Sequence, residues 1–221
     1  MHLKSVMNKL IPLTVMGFVL CLFTASADAK HIELSNKTDA RYPVVIPSAY
    51  RDAAAMKGIP PAILFSVALG ESGTLLQRGD ILPWPWTLNI NGQGYFYRTR
   101  EAAYIALKNA IDKKQTVDIG LGQVNWQSHH ARLANDAWLA LEPEFNLQLA
   151  ASILREHFLS SKHWWIAVGR YHSPGQKPAQ ILRASRYASG IKKRYVAMGY
   201  IDPKENHKKD KTNIRRMRGS S

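Results

Sequence analysis

A chain of 221 residues with 46% hydrophobic side chains and six tryptophans is long enough to bury the core of one ordinary domain. Its single cysteine, Cys21, falls in an apolar N-terminal segment, so the rest of the chain can form no disulfide and offers no thiolate to a metal. The formal net charge of +14 calls for an anionic partner, and nucleic acid, an anionic membrane face and the acidic polymers of a cell wall all meet that requirement.

The first segment decides among them. Lys4 and Lys9 form a basic head, residues 10–23 carry no charge, and Thr24-Ala25-Ser26-Ala27-Asp28-Ala29 offers small-residue cleavage sites after Ala27 or Ala29. Basic head, short apolar middle and small-residue exit predict a secretory signal over 1–29. Such a run is shorter than the roughly 20 apolar residues that a membrane-spanning helix needs. An uncleaved anchor is the alternative, and it is the one route to a membrane. Leu20 before Cys21 argues against a lipid anchor. Export places the protein in the periplasm and weighs against nucleic acid.

After an N-terminal extension over 30–46, the pattern from 47 to 200 is mainly helical. A short helix is predicted over 48–57, between Pro47 and Gly58. Pro60 and Pro61 suit the first turn of a second helix, whose Ile63, Leu64, Val67 and Ala68 share one buried face before Gly70-Glu71-Ser72-Gly73 ends it. Pro83 and Pro85 exclude helix from the next stretch, where Asn91-Gly92 predicts a small antiparallel hairpin. Thr99 caps a helix over 100–114 with Ala103, Leu107, Ala110 and Ile111 facing inward. Further helices are predicted over 126–140, 143–159, 162–172 and 178–198, the last with a break at Gly190. Residues 201–221 are crowded with Lys and Arg and read as a disordered basic tail. The fold class is mainly α with one minor hairpin.

Three stretches carry chemistry. Glu71 ends an apolar helix, where desolvation and the negative end of the helix dipole both favour the protonated carboxyl. A glycosidase acid needs that state to give a proton to a departing oxygen. Asp118-Ile119-Gly120-Leu121-Gly122-Gln123 forms a glycine loop whose backbone can approach a ligand, and Gln123 offers donors and acceptors to sugar groups. Tyr171-His172-Ser173-Pro174-Gly175 ends a helix with polar and aromatic residues fit to line a groove. His129, His130, His157, His163 and His172 form no His-Glu-x-x-His array, and no metal or other cofactor is expected.

In order and separation these stretches resemble the catalytic domain of the soluble lytic transglycosylases, relatives of goose-type lysozyme. Glu71-Ser72 match the Glu-Ser pair that ends a buried helix in that family. Gly120-Leu121-Gly122-Gln123 match its Gly-Leu-Met-Gln loop. Asn146-Leu147 with Ala150-Ala151 match its following helix, and Tyr171 to Gly175 approximate its Tyr-Asn-x-Gly helix end. The resemblance covers about 49–187. Three departures stand out: Gly122 replaces Met, His172 replaces Asn, and an insert over about 80–116 separates the first two motifs.

The resemblance implies a lysozyme-like helical domain over 47–200 with a small hairpin insertion. It implies cleavage of the bond between N-acetylmuramic acid and N-acetylglucosamine in peptidoglycan. Glu71 would act first as acid and then as base toward the muramoyl 6-hydroxyl, closing a 1,6-anhydro ring. Ser72, Gly122, Gln123, Tyr171 and His172 would bind the glycan. Asp118, the nearest second carboxylate, is read as a loop or cap residue. By analogy the insert points to local wall opening for a conjugation or secretion apparatus. The competing readings are a true hydrolase, a non-catalytic wall-binding assembly module, and a nucleic-acid binder acting through the tail.

Overall fold

The computed structural model describes residues 43–76 and 79–203. The predicted signal over 1–29, most of the predicted extension over 30–46 and the predicted tail beyond Pro203 lie outside the described residues.

Helix α1 (Ser48–Lys57) stops at Gly58, whose φ of 60° lets its N–H reach back to the carbonyls of Ala54 and Ala55. After a bend of 117°, α2 (Pro61–Ser72) opens on proline, where the missing N–H costs nothing. The expected buried face of α2 is only part of the truth: Phe65 and Ser66 are buried as well, so the helix is enclosed on nearly all sides. It is the central element of the core, with α1, α8 and the first strands around it. Among the described residues no single helix is long and apolar enough to cross a membrane.

Beyond α2 the structure holds more strand than the single predicted hairpin. Strands β1 (Gly73–Leu75) and β2 (Ile81–Pro83) pair antiparallel. The predicted hairpin is β3 (Thr87–Ile90) and β4 (Gln93–Phe96), turning at Asn91-Gly92 with φ of 51° and 85°. It is not isolated. Strands β5 (Val117–Ile119) and β6 (Val124–Asn125) extend it into a four-stranded sheet of order β4-β3-β5-β6. The glycine loop is therefore the β5–β6 connection. Helix α3 (Arg100–Asp112) lies between β4 and β5 in the chain, and the Thr99 hydroxyl accepts from the Ala102 N–H as a cap should.

The predicted helix over 126–140 is two short helices, α4 (Trp126–His129) and α5 (Ala137–Ala140). Ala134 and Asn135 adopt left-handed φ of 57° and 54°, which breaks the run, and the Asp136 carboxylate restarts it by accepting from Trp138 and Leu139. Helix α6 (Pro143–Ser161) is followed by α7 (Trp164–His172), with His163 as its N-cap. The last helix, α8 (Pro178–Ala197), runs through Gly190 without the expected break.

Two glycines set how closely the helices pack. A Cβ on Gly70 would stand 2.3 Å from Ile191 Cδ1 of α8, and one on Gly169 would stand 2.7 Å from the Ala184 carbonyl oxygen. These contacts bring α2, α7 and α8 together at the site. The packed domain reaches past 47–200 at both ends. The Val44 N–H donates to the Met198 carbonyl, and the buried Asp202 accepts from Trp165 Nε1 at 3.0 Å and pairs with Lys192.

Candidate functional site

Glu71 occupies the last turn of α2, and only 15% of its side chain is exposed. Taking a carboxylate out of water disfavours its charged form, and Asp118 adds like-charge repulsion. Burial is the larger effect, and together they push Glu71 up to about 7 against a hydrogen bond from Tyr187 and the Arg194 cation, which pull the other way. The Tyr187 hydroxyl of α8 donates to Glu71 Oε1 at 2.5 Å. Tyr187 is itself held protonated, its pKa raised well above the ordinary phenol by burial and by the neighbouring carboxylate. It is therefore a fixed donor that orients Glu71.

His172 reaches the same oxygen from the end of α7. Its Nδ1 lies 4.0 Å from Glu71 Oε1, and its ring stacks on Tyr187 with centroids 4.4 Å apart and planes 3° from parallel. Partial burial lowers its pKa, with Asp118 opposing and Arg183 adding to the shift, so it is mainly neutral at pH 7. Asp118 of β5 is part-buried, its carboxyl raised by burial and steadied by a 2.8 Å hydrogen bond from Asn125 Nδ2. The site thus brings two carboxyl groups, one neutral imidazole and one phenol from four separate elements.

The β5–β6 loop is held from behind. Asn146 at the start of α6 is fully buried; its Oδ1 accepts from the Gly122 N–H at 2.8 Å, and its Nδ2 donates to the carbonyls of Ile119 at 2.9 Å and Ala140 at 3.2 Å. The Tyr171 hydroxyl donates to the Gly122 carbonyl at 2.5 Å. The Ser72 hydroxyl is shared between Leu121 O at 2.8 Å and Ala68 O at 3.1 Å, tying the loop to the end of α2.

These bonds give three of the expected site residues a part in holding the loop. Ser72, Gly122 and Tyr171 were expected to touch glycan, yet Ser72 and Gly122 are buried, and the polar groups of all three are engaged inside the protein. They shape the loop. Gln123 lies at the site's edge with left-handed φ of 46°, and its Nε2 is already given to Thr87 O and Gly120 O; its side-chain oxygen is the group left to meet a ligand. Gly122 itself has a steric reason: a Cβ there would stand 2.6 Å from Ala150 Cβ and 3.0 Å from the Tyr171 oxygen. The space a longer side chain would need is filled from α6 and α7. Gly120, with φ of 74°, is pressed against Asn146 in the same way.

Two residues carry more than the sequence reading assigned them. Tyr187 was not singled out; the available signal was its place three residues after Ala184 and four before Ile191, on the inward face of α8. Asp118, read as a turn former, is instead a strand residue whose charge acts on Glu71. Among the described residues, no three His, Cys, Asp or Glu side chains gather at a site fit for a metal ion.

Tyr187→Phe removes the hydrogen bond that favours ionised Glu71, so the Glu71 pKa should rise. Any activity that needs the protonated carboxyl should then persist to higher pH, with the alkaline limb of the pH–rate profile moved up by about one unit. A limb that stays in place or moves down would show that Tyr187 does not act on the carboxyl.

The fold and site together define a mainly helical protein in which burial raises the Glu71 carboxyl to about 7 beside a glycine loop. No protein-family model, no curated protein and no solved structure matches this chain.

Proposed function

We infer that this chain is an exported, lysozyme-like enzyme that cleaves the glycan strands of peptidoglycan, with Glu71 as its proton donor. The observation that carries this reading is the state of Glu71: a carboxyl group raised to about 7, partly open, and oriented by Tyr187. That is what protonating a glycosidic oxygen at neutral pH requires. The shape of the loop supports it too, since the side-chain oxygen of Gln123 and the half-exposed His172 remain able to meet sugar groups beside that carboxyl. The excess of positive charge suits an anionic wall polymer.

The outcome favoured by the motif resemblance is transglycosylation: Glu71 protonates the leaving oxygen, then accepts the proton of the muramoyl 6-hydroxyl as that oxygen closes onto the anomeric carbon. A role in opening the wall for a conjugation or secretion apparatus extends the same reading. Asp118 favours a second outcome, hydrolysis, because a second carboxyl close enough to raise Glu71 is the group a water-using glycosidase employs. Mass spectrometry of products released from purified sacculi separates them. Anhydro-muramoyl ends support transglycosylation, reducing muramoyl ends support hydrolysis, and no release of either leaves only a wall-binding module.

A further inference from the structure

The end of α7 puts an ionisable ring beside the Glu71 carboxyl. His172 lies flat on Tyr187, with centroids 4.4 Å apart and planes 3° from parallel. Its Nδ1 stands 4.0 Å from Glu71 Oε1, the same oxygen that accepts from the Tyr187 hydroxyl. Groups from three other elements act on the ring: Glu71 of α2, Asp118 of β5, and Tyr187 and Arg183 of α8. Burial is the largest influence and disfavours charge on the imidazole; Arg183 adds to it and Asp118 opposes it. The ring is therefore neutral at pH 7 and takes up a proton only below the ordinary histidine value.

The two states of the ring do different things to Glu71. Neutral, it serves Tyr187: a ring stacked on one face limits how the phenol can turn, and the phenol hydroxyl orients the carboxyl. Protonated, it works against the carboxyl. A cation 4.0 Å from Oε1 favours ionised Glu71, against the burial that raises that group to about 7. A glycosidase acid must also come within hydrogen-bond reach of the oxygen it protonates, which puts the ring within roughly 10 Å of the breaking bond. Positive charge gathers on the sugar there in the transition state, and a second cation so near raises its energy. Both effects slow the reaction in acid.

We propose that His172 is a positioning residue for the Glu71 proton and sets the acid limit of activity: the neutral ring seats Tyr187 on the carboxyl, and the charged ring turns the site off. This rests on the reading of the chain as a peptidoglycan-cleaving enzyme. It gives the pH–rate profile two limbs with separate owners, Glu71 on the alkaline side and His172 on the acid side. Phenylalanine at this position would supply the ring without the charge, and asparagine neither.

The test follows product release from purified sacculi across pH for the full chain, His172→Phe and His172→Asn, each protein judged by the ratio of its own rates. The parent should lose about tenfold in rate for each pH unit once His172 is charged, and both variants less than about twofold between pH 7 and pH 5. The alkaline limb of His172→Phe should stay with the parent's, while that of His172→Asn should move up as in Tyr187→Phe. An acid loss in either variant equal to the parent's overturns the proposal, as does a parent with no acid loss. Alkaline limbs that coincide in all three proteins overturn the positioning role. A second measurement needs no turnover. The His172 ring signal in NMR, assigned by its loss in His172→Phe, should titrate below an ordinary histidine, and lower still in Asp118→Asn. An ordinary titration, or one that Asp118→Asn leaves in place, also overturns the proposal. A parent that releases nothing at any pH sinks the enzymatic reading and this role with it; release whose acid limb ignores His172 sinks the role alone.

Discussion

Glu71→Gln is expected to lower product release from sacculi by a factor of about 10³ or more, within or above the range usual for loss of a positioned general acid. The amide is isosteric and still accepts from Tyr187, so the fold and wall binding should be retained. The same substitution should change stability in a pH-dependent way. Glu71 is raised from an ordinary 4.5 to about 7, so the folded protein holds a proton that the unfolded chain releases. The stability this contributes is fully present below pH 4.5 and is lost as pH rises through 7, a swing of about 3 kcal/mol from the size of the shift. The amide carries no such charge. At pH 8 the variant should therefore be more stable than the parent by about that amount, with the difference shrinking as pH falls toward 4.5. Thermal unfolding at pH 5 and pH 8 checks the sign. Equal pH dependence in both proteins would mean that Glu71 ionises freely, and undiminished product release would remove it from the chemistry.

Asn146→Ala should be the most damaging single change to the scaffold. The side chain is fully buried and serves Gly122, Ile119 and Ala140 at once. Its removal strands one N–H and deprives two carbonyls of a donor in a dry interior, at a cost of about 3–5 kcal/mol. For a domain of this size that is a fall of about 10–15 °C in melting temperature. Asn146→Asp tests the cause: it preserves volume and the acceptor for Gly122 but turns the other oxygen against two carbonyls, so it should be no better tolerated. A loss below about 1 kcal/mol in either variant would show that the loop is held by other means. Faster amide exchange at Gly122 in a still-folded variant would localise the effect.

How much of this was legible beforehand follows from the range of each interaction. Pro60-Pro61, Thr99 and Asn91-Gly92 act within four residues of themselves, and the elements they announce are present where expected. The strand character of 117–119 and 124–125 was hidden because two- and three-residue strands have no periodicity of their own; pairing with β3 creates them. The helix expected over 126–140 failed at Ala134-Asn135, where left-handed backbone interrupts a sequence whose apolar spacing alone reads as continuous. In the site, Glu71 was recognisable from its place at the end of an apolar helix. Ser72, Gly122 and Tyr171 were recognisable as participants, but that their polar groups hold the loop from within was not, since spacing does not tell which partner a polar group finds.

By itself the sequence determined a cysteine-poor, strongly basic, mainly helical chain with its one acidic candidate at a helix end, because charge, periodicity and chain-breaking residues are local properties. Only the tertiary structure decided that this candidate's carboxyl is raised to about 7. Tyr187 arrives at Glu71 from 116 residues away, and Asp118 acts on it from a strand that exists only through its partners. A pKa is set by how much water and which charges surround a group, and that surrounding is made by packing α2, α7, α8 and the sheet together.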